Sequence, residues 1–207
     1  MRSVIQLGLA DNGRGRYSSY VFPAEYYDIP GLADFQDIHS VQTHAVKELE
    51  PYRNMPVEIY VNSGMTIELL AVIWAADRLN ISLRVMHYDR SRGIYIPQQV
   101  TWKRSKFPAS EQEAYILCKG RHNGMQGKPL FEPLSEEKMF DFIWQQEHAK
   151  KVLSEGKRRT ICLYISGLTS LCVSVLNAAH ELDLPVVAFH YNYDTEEYFP
   201  QAFYDTN

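Results

Sequence analysis

Residues 63–98 read SGMTIELLAVIWAADRLNISLRVMHYDRSRGIYIPQ, and residues 166–201 read SGLTSLCVSVLNAAHELDLPVVAFHYNYDTEEYFPQ. Laid over one another with no gap, at a shift of 103 residues, 12 of the 36 positions are identical. Ser63, Gly64, Thr66, Val72, Ala75, Ala76, Leu79, His87, Tyr88, Tyr95, Pro97 and Gln98 find the same residue in the second copy. A chance match of roughly 6% per position predicts about two. Solenoid repeats are shorter and more numerous, so two units of about a hundred residues read as a duplicated domain.

Each copy reads strand, Ser-Gly-x-Thr, helix, strand, His-Tyr, hairpin. Residues 67–79 and 170–182 are apolar around most of their circumference, which predicts covered helices. Residues 82–88 and 185–191 are mostly apolar, Arg84 apart, as parallel strands buried on both faces are. A turn and a last strand ending Tyr-x-Pro-Gln follow, with proline suited to an edge or strand end. Upstream the match continues in pattern but not in identity. Apolar runs at 3–9 and 114–118 predict opening strands, each running into a glycine-containing loop. Helical spacing comes next: Ile38, Val41, Ala45 and Leu49, stopped by Pro51, and then Met139, Phe142, Ile143, Ala149 and Val152, capped by Ser135 and ended by Gly156. Strand-like runs at 57–61 and 161–165 complete each copy. This alternation predicts an α/β protein of two tandem Rossmann-like lobes, each a doubly wound β-α-β-α-β-β unit. The lobes span 1–100 and 111–207, with a linker over 101–110. Equivalent surfaces of a duplicated chain can close into a pseudo-two-fold pair.

The 207 residues are 45% hydrophobic and 13% aromatic, which excludes disorder as the main state. A net charge of −4 argues against a duplex DNA partner, while leaving room for a small anion in one basic pocket. Cys118, Cys162 and Cys172 form no C-x-x-C pair, so neither a disulfide framework nor a metal site is expected, and a reducing compartment is. The longest apolar run, 69–76, falls far short of the ~20 residues that cross a bilayer. The amino terminus turns polar too soon for a signal peptide. The expectation is a cytoplasmic protein with no membrane partner.

In open α/β sheets, ligands bind beyond the carboxyl ends of the strands. Three motifs per copy fall there. Ser63-Gly64-Met65-Thr66 and Ser166-Gly167-Leu168-Thr169 lead a strand through glycine into a helix start, a ready site for an anion. Simple capping by Thr66 and Thr169 is the plainer alternative. The loops after the opening strands carry Asn12, Arg14 and Arg16 in one copy and Lys119, Arg121 and Asn123 in the other, cations suited to phosphate. Solvated turns would look the same. His87 and His190 end a buried strand, where an imidazole can contact a ligand or merely satisfy a local carbonyl. Gln98 and Gln201 are weaker candidates.

No G-x-x-x-x-G-K-[ST], G-x-G-x-x-G or G-x-S-x-G motif is present, and Leu184 stands where a second zinc-binding His would complete His180-Glu181. Ser166-Gly167-Leu168-Thr169-Ser170 is similar to a shortened phosphate loop of ATP pyrophosphatases. It lacks the second Gly and the Asp of that loop, and it follows a later strand rather than the first.

The opening strand ending Leu7-Gly8, the glycine loop with Tyr17-Ser18-Ser19-Tyr20-Val21-Phe22, and the later Ser63-Gly64-Met65-Thr66 turn resemble CRISPR-associated Rossmann fold (CARF) domains, and the resemblance covers the chain as two lobes. It implies binding of a cyclic oligoadenylate, the messenger of type III CRISPR defence, by a monomer with pseudo-dimeric lobes or by a homodimer. With nothing after Asn207 to serve as effector, it further implies a stand-alone ring nuclease that opens the messenger without metal or other cofactor. Ser63, Thr66, Ser166 and Thr169 are then the catalytic hydroxyl donors. Asn12, Arg14, Arg16, Gly64, His87, Lys119, Arg121, Asn123, Gly167 and His190 bind the ligand. A non-catalytic sensor or sponge with the same pocket is the alternative.

Overall fold

The computed structural model of the chain describes residues 4–11, 17–27, 37–61, 66–105, 107–120, 127–166, 168–192 and 195–204. Two compact units follow one another, Met1–Val100 and Thr101–Asn207. Lobe 1 runs β1 (Ile5–Ala10), β2 (Tyr20–Phe22), α1 (Ala24–Tyr27), α2 (Ile38–Leu49), a 3-10 turn at Glu50–Tyr52, β3 (Pro56–Val61), α3 (Thr66–Arg78), β4 (Ser82–Asp89) and β5 (Ile94–Gln99). Lobe 2 runs β6 (Gln112–Cys118), β7 (Lys128–Phe131), α4 (Glu136–Met139), α5 (Phe142–Leu153), β8 (Thr160–Tyr164), α6 (Thr169–Glu181), β9 (Val186–Asn192) and β10 (Glu197–Ala202).

The chain is α/β with two tandem Rossmann-like lobes, as expected. The sheet orders are β2-β1-β3-β4-β5 and β10-β9-β8-β6-β7, the same order in both lobes. All neighbours are parallel except the closing hairpins β4–β5 and β9–β10.

Two details differ from the expectation. Each sheet gains an edge strand, β2 or β7, parallel to the opening strand. The sheets are also wound on one face rather than two, because α2 packs along α3 and α5 along α6. The two crossovers of a lobe travel the same way along the sheet, and right-handed connections then put both helices on one side. That side is the core, with Val57, Ile59, Leu83 and Val85 at most 2% exposed. Among the described residues the opposite face of lobe 1 carries no helix packed along α2 or α3. There the Glu58 carboxylate accepts from Gln6 Nε2 (3.2 Å), the Tyr60 hydroxyl (3.2 Å) and Arg84 Nη1 (3.0 Å).

The second helix of lobe 2 also departs from its predicted stripe. The run breaks into α4 and α5, and Asp141, not Ser135, caps α5 by accepting the Trp144 N–H at 3.1 Å. Its buried face is Gln145, Ala149 and Leu153, whereas Ile143 is 81% exposed. This register uncovers identity that the sequence comparison missed. At a shift of 104 residues, Asp37, Gln42, His44, Ala45, Lys47 and Leu49 recur as Asp141, Gln146, His148, Ala149, Lys151 and Leu153.

The structure reproduces the contacts of two of these pairs. Asp37 caps α2 through the Ser40 N–H at 3.1 Å, as Asp141 caps α5. His44 Nε2 lies 2.8 Å from the Val21 carbonyl oxygen, and His148 Nε2 lies 3.0 Å from that of Leu130. Each helix is thereby pinned to its edge strand. Helices α3 and α6 end alike, with Asn80 (φ 53) and Asp183 (φ 52) in the left-handed conformation that short polar side chains tolerate. One Cβ-free position is demanded by close approach: a Cβ on Gly127 (φ +143) would stand 2.7 Å from the Ala114 carbonyl oxygen.

The residues at 101–105 pack onto lobe 2. The Thr101 and Trp102 N–H groups donate to Asn177 Oδ1 at 2.9 and 3.1 Å, and Ser105 bridges to Tyr204. All three cysteines are free and buried. Among the described residues no helix is long and apolar enough to cross a membrane.

Candidate functional site

Strands β1, β3 and β4 are parallel, so their carboxyl ends share one edge of their sheet, as do those of β6, β8 and β9. Strands β1, β3, β6 and β8 end there, and in the sequence the glycine loops and Ser-Gly motifs follow those strand ends. Asn12, Arg14, Arg16, Ser63, Gly64, Arg121, Asn123 and Gly167 lie outside the described residues. The structure places Thr66, His87, Lys119, Ser166, Thr169 and His190.

Ser166 sits just past the end of β8, where the Ile165 N–H still donates to the Phe189 carbonyl at 3.0 Å. It is 3% exposed, and its Oγ has no hydrogen-bond partner among the described residues. A buried hydroxyl without a partner costs about 1–3 kcal/mol, so the fold tolerates here a group that a ligand oxygen would satisfy. Three residues on, α6 begins, and a helix start presents N–H groups and positive dipole charge. Thr169 stands one residue inside the assigned cap position. The cap position belongs to Leu168, which has an extended backbone and no polar side chain, and Thr169 is the first helical residue. Thr66 likewise opens α3 and is 6% exposed.

Lys119 keeps its amino group 3.1 Å from Glu132 Oε1 in a solvent-exposed pair. Such a pair contributes about 0–1 kcal/mol, so the cation can turn to an anion at little cost.

The two histidines occupy a different place from the one their position at a strand end suggested. His87 and His190 are 5% and 3% exposed, turned to the helix side of their sheets. Nε2 of each donates to a glutamine oxygen, Gln98 at 2.7 Å and Gln201 at 2.9 Å. Burial lowers both to about 4, against which the glutamine bond acts only in part. The interaction shown for these imidazoles is the local one. The glutamines, weak candidates from sequence, are their partners.

What the sequence reading missed is aromatic. Tyr60 and Tyr164 precede the turns and each meets a tyrosine of the closing strand, Tyr95 or Tyr198, with ring centroids 4.9 Å apart in both lobes. They are hidden at a shift of 103 because the turn after β8 is one residue shorter than the turn after β3; at 104 they coincide.

Two hollows fit an anion less well than this edge. One of about 510 Å³ in lobe 1 is lined by Asp11, Glu25 and Glu48, the wrong sign for phosphate. Another of about 420 Å³ in lobe 2 holds Lys103, Arg104 and Arg158, but it opens at the amino edge of the sheet, where α6 ends and β9 begins. Among the described residues no group of three or more His, Cys, Asp or Glu could hold a metal ion. The Ser166 turn follows the third strand of its lobe, which argues against the ATP-pyrophosphatase reading.

No family model matches the sequence, and no curated protein does. Solved structures match across 97% of the chain. The Moraxella osloensis Cap4 SAVED/CARF-domain containing receptor is similar at a TM-score of 0.56 and 14% identity. The Acinetobacter baumannii Cap4 receptor is similar at 0.53 and 15%, and at 0.55 and 14% in its structure with the cyclic trinucleotide 3'3'3'-cAAA. The chain spans about half the length of these receptors, 49–51%. The likeness therefore concerns fold: the chain has the α/β fold of about half of these SAVED/CARF-domain containing receptors.

Proposed function

We propose that the chain binds a cyclic oligoadenylate at the carboxyl edges of its Rossmann-like sheets. The observation that carries this reading is the buried, unpartnered hydroxyl of Ser166 immediately ahead of the α6 start. It is supported by the receptor fold, one of whose bearers is known with 3'3'3'-cAAA. In this reading Ser63, Thr66, Ser166 and Thr169, with Gly64 and Gly167, receive phosphate oxygens. Asn12, Arg14, Arg16, Lys119, Arg121 and Asn123 supply charge and hydrogen bonds from the neighbouring loops.

Opening of the ring is the finer reading. A ribose 2′-OH would attack the adjacent phosphorus and lose its proton to water, and the P–O5′ bond would break with O5′ taking a proton from water. A linear product with a 2′,3′-cyclic phosphate and a 5′-hydroxyl would result, while the hydroxyl donors stabilise charge on the phosphoryl oxygens. His190, buried and bound to Gln201, is not offered as a base for it. Calorimetric titration of the protein with cyclic tri-, tetra- and hexa-adenylate, followed by chromatography of the mixtures, tests both. Saturable binding of one ring is expected. Intact rings then identify a sensor and linear products a ring nuclease, while no binding of any ring removes the proposal.

A further inference from the structure

The tyrosines at the sheet edge form the same column in both lobes. In lobe 1, Tyr88 lies 5.1 Å from Tyr95 at 48°, and Tyr95 lies 4.9 Å from Tyr60 at 78°. In lobe 2, Tyr191 lies 5.0 Å from Tyr198 at 53°, and Tyr198 lies 4.9 Å from Tyr164 at 81°. The twin positions on the same sheet face have drifted freely. Glu58, Arg84 and Met86 of lobe 1 stand where lobe 2 has Cys162, Val187 and Phe189. Packing alone would be served by other large apolar side chains, as Met86 and Phe189 show. Apart from Pro97 and its twin Pro200, which suit the closing edge strand, the three tyrosines are what this face keeps in type and geometry, and that points to a shared task.

The outermost ring is the accessible one. Tyr88 is 45% exposed, and its twin Tyr191 is half-buried. The place of Tyr88 is fixed by register: Val61, the last residue before the Ser63 turn, pairs with His87, so Tyr88 is one residue beyond that pair on the neighbouring strand. Adjacent strands are about 4.8 Å apart. In lobe 2 the described residues give the same relation: Ile165, next to Ser166, donates to the Phe189 carbonyl at 3.0 Å, two residues ahead of Tyr191, so a nucleotide with its phosphate at Ser166 would carry its base towards that ring.

We infer that Tyr88 and Tyr191 are base-stacking platforms, each able to take an adenine of a bound ring on a face backed by Tyr95 or Tyr198. This rests on the reading of the chain as a cyclic oligoadenylate binder and names the part of the ligand that the hydroxyls and cations leave unheld. Every base has a π-face, and stacking on an aromatic side chain does not depend on that side chain's hydroxyl.

The test is calorimetric titration of the full chain with 3'3'3'-cAAA, the ring held by one structure of the same fold. The double variant Tyr88→Ala/Tyr191→Ala is expected to bind at least about 5- to 150-fold more weakly, the cost of losing one stacked base. Tyr88→Phe/Tyr191→Phe, which keeps both rings, is expected to stay within about twofold of the parent. Both variants change partly exposed positions, and their melting curves verify the fold. Parent-like affinity in the alanine variant, or equal loss in the phenylalanine variant, overturns the stacking inference alone. If the parent does not bind 3'3'3'-cAAA, the variants are titrated with whichever of cyclic tetra- and hexa-adenylate it does bind, and failure to bind any of the three rings overturns the functional reading and this inference with it.

Discussion

The imidazole of His87 donates from Nε2 to the amide oxygen of Gln98 at 2.7 Å, inside the core of lobe 1. His190 and Gln201 repeat the bond at 2.9 Å. In each pair the residues are 11 positions apart, on strands joined by the closing hairpin. The hydrogen bond ties the antiparallel edge strand to its parallel neighbour through side chains as well as backbone.

This burial has a consequence for stability against pH. An unfolded histidine takes a proton near 6.5, whereas burial lowers these two to about 4. The unfolded chain therefore binds more protons between those values. The stabilisation is complete above about pH 6.5 and falls as the pH drops towards 4, by up to about 3 kcal/mol for each imidazole. Urea unfolding midpoints at steps from pH 7 to 4.5 should decline steadily, and His87→Gln/His190→Gln should flatten the decline between 6.5 and 5. A parent midpoint that does not move over this range contradicts the assignment.

Much of the fold was legible because the duplicated block carries its own periodicity, from the apolar strand Leu83 to Met86 through the helix after Thr66. The edge strands were not. Tyr20-Val21-Phe22 is too short to show alternation, and Lys128-Pro129-Leu130-Phe131 contains a proline that only an edge position tolerates. The stripe of α5 was misplaced by Gln145, a polar residue with 0% exposure. Its amide donates to the Lys138 and Met139 carbonyls and accepts from Ser174. A side chain that meets its polar needs internally looks like surface in a sequence. At the site, the Ser-Gly-x-Thr turns were visible as motifs, but nothing local distinguishes Ser166 with its unpartnered hydroxyl from His190 with its glutamine. That difference is set by tertiary cover.

Ser166→Ala should move stability and binding in opposite directions. Removing a buried hydroxyl that lacks a partner relieves its desolvation cost, so the ligand-free melting temperature should hold or rise. The same change deletes a donor to a phosphate oxygen, a bond to a charged group worth about 1.5–3 kcal/mol, or roughly 10- to 150-fold in affinity. Scanning fluorimetry with and without cyclic tri-adenylate reads both effects. A fall in ligand-free stability with unchanged binding would show the hydroxyl to be structural.

Asn177 should anchor the entry into lobe 2. Its Oδ1 accepts from both Thr101 and Trp102, and Trp102 is 3% exposed with its ring edge-on to Phe203 at 5.1 Å. Asn177→Ala leaves two donors without this acceptor, at a cost of about 1–3 kcal/mol for a buried one. The variant is expected to melt lower and to show red-shifted tryptophan emission as Trp102 meets water. Unchanged emission at full occupancy of the folded state would mean that packing against Phe203 holds the segment by itself.

Gly8 and Tyr20 should couple strongly. Strand β1 pairs Gly8 with Tyr20 of the edge strand, and a Cβ on Gly8 would stand 2.3 Å from the Tyr20 ring. Lobe 2 has Ile116 at the equivalent position, paired with Pro129 instead of a tyrosine, so the close approach is particular to lobe 1. Gly8→Ala must displace a ring that also meets Tyr17 edge-on at 6.1 Å, with an overpacking cost of about 1–3 kcal/mol. In a Tyr20→Ala background only the Tyr17 ring, 3.1 Å from that Cβ, has to give by a few tenths of an ångström, and the same substitution should cost much less. Chemical denaturation of the parent, both single variants and the double variant closes the cycle. The double variant should be nearly as stable as Tyr20→Ala alone, and strictly additive losses would show that the backbone of β1, not the tyrosine, excludes the methyl group.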